Sequence, residues 1–306
     1  GEAVQSHLSA TYVNGLFQAA GQPAPFNAEA MTALPRGLSY LLLGKQELFT
    51  SIGSRYLVPR QTYQLYAAYR GQTEPESQDA YGPEQTAWLS NALAGSGARW
   101  KVVGSSVSFA PLVFDFAQPP VPLPTGFPAL LRTQLQLNAD DWDGFPKARQ
   151  MVIDLLAQHE AVVISGDIHA SFVTRHLSTS GKTVPEFTGT SVSSESFREE
   201  LANEVAGNPA LAGLPGVNEL LAATDLLLID AASRLPEADL LEADTTSNGY
   251  VIVEATGDAL RPIYRHWPAS PVEQDLTGLG HAAQLAAALS ESRFVTTRST
   301  NGLVME

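Results

Sequence analysis

Hydrophobic and polar positions change their spacing several times along the chain, and one change is abrupt. Ala161-Val-Val-Ile-Ser-Gly-Asp-Ile-His-Ala-Ser171 opens as an apolar run with three β-branched residues in succession, Val162, Val163 and Ile164, and closes on Gly166, Asp167 and His169. A run with no polar relief predicts a short strand covered on both faces of a sheet. Gly166 frees the backbone to turn at its carboxyl end. Asp167 and His169, two residues apart, can then converge on one point where the chain leaves the sheet.

Around this strand the spacing alternates between helical and extended. Helical periodicity predicts helices over 27–33, over 84–93 with Trp88, Leu89, Ala92 and Leu93 on one face, over 148–159 with Met151, Leu155 and Leu156 on one side, and from His281 onward. Tyr63, Tyr66 and Tyr69 fall along one helical side, a packing stripe. Residues 197–245, rich in Ala and Leu with interspersed acids, read as helical and peripheral. Strands are expected over 99–104, continued by 105–109, over 184–191, and over 248–256, which pairs with 260–266 across the Gly257-Asp258 turn. Loops are expected over 71–83 and over 110–136, where prolines stand at 111, 119, 120, 122, 124 and 128. A helix leading into a buried strand is the rhythm of a layered α/β protein.

Composition narrows the function classes. The 306 residues are 44% hydrophobic, enough for a sizeable core, and 18 Lys and Arg against 32 Asp and Glu leave a formal charge of −14. That balance argues against a sequence-independent grip on nucleic-acid phosphates. With no cysteine there are no disulfides, thiolate nucleophiles or zinc-thiolate sites. No apolar run approaches the roughly 20 residues of a transmembrane helix, and residues 1–20 show no signal peptide; a chain whose signal had been removed would look the same.

The chemistry then rests on few residues. A carboxylate and an imidazole at a strand edge suit a hard or borderline metal ion held by O and N ligands, and Asp167 and His169 are the candidate ligands. The alternative is a turn-capping Asp167 beside an ordinary loop histidine. Gly37 and Gly44-Lys45 suggest a phosphate loop, but the spacing is wrong and no Ser or Thr follows the lysine, so 38–43 reads as packing. Asp140, Asp141 and Asp143 have the charge of a calcium loop without its ligand spacing, which leaves capping and packing. Thr188, Thr190, Ser191, Ser193 and Ser194 cluster after a strand, where they could meet a phosphate or simply satisfy a turn. His266 reads as an end-of-strand histidine. A serine-hydrolase elbow is absent, since Gly104-Ser-Ser-Val-Ser108 lacks its second glycine.

Six segments in series, Gln85-Thr-Ala-Trp-Leu89, Ala98-Arg-Trp-Lys-Val-Val-Gly104, Asp141-Trp-Asp-Gly-Phe-Pro146, Ser165-Gly-Asp-Ile-His-Ala-Ser171, Pro185-Glu-Phe-Thr-Gly-Thr-Ser191 and Asn248-Gly-Tyr-Val-Ile-Val-Glu254, resemble the C-terminal half of the PhoD-like alkaline phosphatase/phosphodiesterase family. The resemblance implies an α/β fold, a layered metallophosphoesterase-like β-sandwich flanked by helices, contributed only in part by this chain. It divides the chain into a helical and loop segment, 1–83, that packs on the core, and the C-terminal part of a metallophosphoesterase domain, 84–306. It further implies a binuclear site, iron(III) and calcium, with Asp167 and His169 as two of the ligands, acting on a phosphate ester. The family's N-terminal motifs are missing from this sequence, so the expectation is one fragment or subunit of a proteolytically processed or split enzyme, completed by an N-terminal polypeptide half, in a periplasmic or extracellular setting. The competing expectation is a non-catalytic interaction subunit that keeps the fold.

Overall fold

The computed structural model describes residues 7–19, 21, 23–24, 26–33, 38–39, 58–127, 129–207, 209–268, 280–300 and 302–306. The short N-terminal elements are β1 (His7–Leu8), α1 (Ala10–Ala19), α2 (Ala28–Ala33), β2 (Leu38–Ser39) and β3 (Val58–Pro59). There follow α3 (Arg60–Thr73), α4 (Gly82–Gly95), β4 (Lys101–Gly104), β5 (Val113–Asp115), β6 (Gln134–Gln136), α5 (Pro146–Gln158), β7 (Ala161–Ser165), β8 (Ser171–Leu177) and β9 (Thr183–Thr188). The last part holds α6 (Phe197–Gly207), α7 (Pro209–Ala212), α8 (Val217–Ala222), α9 (Thr224–Ala232), β10 (Ala238–Asp244), β11 (Ser247–Ala255), β12 (Ala259–Pro268), α10 (Ala282–Ala288), β13 (Ser290–Arg293), β14 (Thr296–Ser299) and β15 (Gly302–Met305).

Two sheets carry the architecture. The first has the order β10-β8-β9-β7-β4, with β4, β7, β9 and β10 running one way and β8 against them. The second is antiparallel, β11-β12-β14-β15, with β13 beside β12. Strand side chains alternate between faces, and the two faces of the first sheet are both covered. Val162, Val173 and Phe187 meet Leu260, Tyr264, Leu303 and Met305 of the second sheet in one cluster. Ala161, Val163 and Val184 turn the other way, against Leu89 and Leu93 of α4 and Val152, Ile153 and Leu156 of α5. Val162 and Val163 have no exposed surface, and burying each contributes roughly 1.5–3 kcal/mol. The apolar run at 161–164 is therefore an interior strand of a two-sheet, helix-flanked α/β sandwich, as its unbroken hydrophobicity predicts.

Several elements depart from the sequence reading, each for a local reason. The strand expected over 99–109 stops at Gly104, because the Ser105 hydroxyl donates back to the Val107 carbonyl at 2.6 Å and Ser108 turns inward. The proline-rich loop over 110–136 contains a hairpin, β5 with β6, whose six strand residues include no proline. Helix α3 runs through Gly71 to Thr73, where a loop was expected. A side chain at Gly71 would come within 2.9 Å of Gln78, so glycine here makes room for packing and does not mark a break.

The region 197–245 is not peripheral: Leu227 and Leu228 of α9 are buried, and β10 is an edge strand with Ala238 and Leu240 inward. Trp88 and Met151, grouped by spacing with the apolar side of their helices, are exposed at 67% and 55%, while Leu89, Leu93, Val152 and Leu156 face the sheet. The tail adds three strands after α10. The expected 260–266 partner of 248–256, the helix at 27–33 and the helix after His281 are present. Most of the 38–43 segment lies outside the described residues. Among the described residues no helix is long and apolar enough to cross a membrane.

Candidate functional site

The carboxyl ends of β7 and β9, the start of β8 and the end of β10 meet at one rim of the first sheet, since Ser165 pairs with Thr188, Thr188 with Phe172, and Ser171 with Asp244. The turn from β7 to β8 crosses this rim. Asp167 has φ +77 and His169 φ +56, two side-chain-bearing residues in the left-handed region within three positions. Each such residue costs about 1–2 kcal/mol, least for Asp, and persists only where its surroundings fix it.

Those surroundings are specific. Ile168, between the two, packs against the cluster of Ala170, Phe172, Phe197, Leu201 and Leu228. The Phe197 amide donates to the His169 carbonyl at 2.9 Å, and the Gly189 amide to the Ser165 carbonyl at 2.9 Å. Ser171 Oγ and His266 Nε2 are hydrogen-bonded at 2.8 Å, and the Tyr264 hydroxyl donates to the Phe172 carbonyl at 2.8 Å. His266 is thus an end-of-strand residue that ties the second sheet to the foot of the turn.

Asp167 is exposed, and the His169 side chain is 32% exposed. His169 Nδ1 is itself buried, without an aligned hydrogen bond, and lies 3.0 Å from Glu200 Oε1 on α6. Burial raises the pKa of the Glu200 carboxyl; His169 opposes the rise, and the charges of Glu195 and Asp167 add to it. Asp167, His169 and Glu200 therefore share one electrostatic neighbourhood, and Glu200 is the member that sequence reasoning missed. Its only sequence signal is position, in the first turn of a helix that begins soon after the turn; no motif spacing marks it. Among the described residues, no group of three or more His, Asp or Glu is arranged to hold an ion. An accessible carboxylate two residues from an imidazole with one nitrogen shielded is by donor type a set that suits a hard or borderline ion.

The strand-end hydroxyls mainly satisfy the turn. Thr188 Oγ1 is hydrogen-bonded to Ser108 and Ser165, Thr190 donates to the Ser247 carbonyl, and Asn248 Nδ2 donates to Ser191 Oγ and to the Ser194 carbonyl. The acidic turn caps and packs as expected: Asp141 Oδ1 accepts from the Asp143 amide and Asp143 Oδ2 from the Leu112 amide. Two glycines in these segments are sterically required. A Cβ at Gly144 would lie 2.0 Å from the Ala139 carbonyl oxygen, and one at Gly249 2.3 Å from that of Arg265.

The fold is that of a layered α/β protein, with Asp167 and His169 on the turn at the carboxyl rim of its parallel strands. The chain is a member of the PhoD-like phosphatase family, whose model matches residues 44–259. It is similar to alkaline phosphatase D of Bacillus subtilis, 33% identical over 121 residues, which are 37% of this chain and 18% of that protein. A solved structure of PhoD aligns at 23% identity with a TM-score of 0.40, covering 73% of this chain and 34% of that one. The chain thus spans well under two thirds of each of these relatives.

Proposed function

We propose that this chain supplies part of the active site of a metal-dependent phosphoric ester hydrolase. What supports the reading is the strained turn at the strand rim on which Asp167 and His169 both stand, in a chain of the PhoD-like phosphatase family. Asp167 would hold an ion through carboxylate oxygen and His169 through neutral imidazole nitrogen. Iron(III) and calcium, when bound, would supply positive charge for the phosphoryl oxygens and acidify a water molecule. Ile168 and the backbone bonds at Ser165 and His169 fix where the two donors stand, which is the chain's own contribution to orientation. Two donors fall short of the six to eight that calcium takes, and we assign the remainder to an N-terminal polypeptide half. The setting proposed is periplasmic or extracellular, as the family resemblance implies.

The test is hydrolysis of bis(p-nitrophenyl) phosphate and p-nitrophenyl phosphate with iron(III) and calcium, by the chain alone and together with its proposed N-terminal half. Activity should require the ions and fall by more than about 100-fold in Asp167→Ala and His169→Ala. Activity that survives both substitutions unchanged overturns the site, and ion-independent folding with no activity in any combination favours the non-catalytic subunit.

A further inference from the structure

His169 has two ring nitrogens, and only one can serve as a ligand while the other keeps a proton. Its Nδ1 is buried, has no aligned hydrogen bond, and faces Glu200 Oε1 across 3.0 Å. The ring as a whole is 32% exposed, so its accessible part lies away from Nδ1. A buried ring nitrogen beside a carboxylate is stable only as a donor; as a bare acceptor it would set a lone pair against an anion. Glu200 is 18% exposed and is itself held, since it lies in the first turn of α6, whose Phe197 and Leu201 are packed in the core and whose Phe197 amide is bonded to the His169 carbonyl. The backbone of His169 and its side chain are therefore both fixed by the same helix.

We propose that Glu200 is a positioning residue that keeps the His169 proton on Nδ1 and so leaves Nε2 bare and turned outward as the ligand atom. This rests on the reading of His169 as an ion ligand, but the proton's place in the free protein can be measured without any ion.

His176 gives an internal reference with the opposite arrangement. Arg149 Nη2 lies 3.1 Å from its Nδ1, and Glu186 Oε2 lies 2.7 Å from its Nε2, so in the neutral ring Nδ1 accepts and Nε2 carries the proton. Long-range 15N–1H correlation spectra of the metal-free chain, assigned through His169→Asn and read at a pH where the rings are neutral, should show opposite tautomers for the two. Glu200→Ala should move His169 away from the Nδ1–H form and leave His176 unchanged, whereas Glu200→Gln, which still presents an acceptor oxygen, should restore it. Titration with Mn2+ should then show affinity roughly 10–100-fold weaker in Glu200→Ala than in wild type, with Glu200→Gln between them.

His169 found with its proton on Nε2 in wild type, or an identical His169 spectrum in wild type and Glu200→Ala, overturns the assignment. The expected tautomers without any Mn2+ binding would instead count against the ion-holding reading and leave the Glu200 contact standing.

Discussion

The chain holds one Glu–His pair, Glu186 with His176, inside the first sheet and another, Glu200 with His169, at its rim, and they differ in almost every physical respect. In the interior, Glu186 Oε1 accepts from Ser108 Oγ at 3.1 Å, Ser165 Oγ at 2.6 Å and the Phe109 amide at 2.9 Å, while Oε2 lies 2.7 Å from His176 Nε2. His176 in turn meets Arg149, which donates to the Phe109 carbonyl. Neither Glu186 nor His176 has any exposed side-chain surface. Burial alone would raise the Glu186 pKa, but His176, Ser165 and the Phe109 amide reverse the sign and hold it below its ordinary 4.5.

At the rim, Glu200 is raised by burial and His169 Nδ1 has no aligned bond. A polar group buried with every bond made fixes a structure, whereas a ring held on its buried nitrogen and open to solvent on its other side has room for an added ligand. The interior pair thus reads as the frame, and the rim pair as the site mounted on it.

The comparison can be broken most forcefully from the inside. Glu186→Ala leaves His176, Ser165 and the Phe109 amide without their acceptor and should cost about 3–5 kcal/mol of stability, measured by urea denaturation. A loss below about 1 kcal/mol would mean the interior network is not the frame. Gly249→Ala tests the second sheet, since its Cβ would meet the Arg265 carbonyl oxygen at 2.3 Å; the expected loss is about 1–3 kcal/mol.

Substitution at the rim should go the other way. His169→Gly relieves a left-handed backbone and should leave unfolding free energy unchanged or raised by up to about 1 kcal/mol, while ion binding is lost. A large loss of stability there would make the turn structural.

The smallest effect is on pH dependence. Burial holds the His176 pKa below its ordinary 6.5. The unfolded chain therefore takes up that proton first, and the His176 contribution is complete above 6.5 and lost as pH falls beneath it. Glu186, held below 4.5, contributes above that value and loses its contribution as pH falls through its folded pKa. The melting temperature should decline from about pH 7 to about pH 5, with a shallower slope in His176→Gln; equal slopes would remove His176 as the cause.

What could be read from the sequence follows from which interactions are local. The strand at 161–165 and the 248–266 hairpin were legible because an unbroken apolar run and a turn between alternating strands are local signals. The turn that carries Asp167 and His169 was legible for the same reason, since Gly166 ends the apolar run there. Glu200 was not, because its contact joins a strand turn to a helix thirty-one positions on. The Arg149–His176–Glu186 chain was equally hidden: it spans a helix and two strands, and each residue alone resembles a surface polar group. Proline counting over 110–136 concealed a hairpin because it measured the connection and not the short strands at either end. Helical spacing grouped Trp88 with Leu89 and Leu93, and Met151 with Leu155 and Leu156, because it fixes relative angles around a helix and leaves open which stripe meets the sheet.

The most direct test of the account is a Mn2+ titration of the isolated chain followed by amide and imidazole line broadening. Broadening that begins at residues 166–170 and at 195–200, and that vanishes in the Asp167→Ala, His169→Ala double variant, is the predicted result. Broadening centred elsewhere, or unchanged in that variant, would contradict the claim that this rim is where the chain holds an ion.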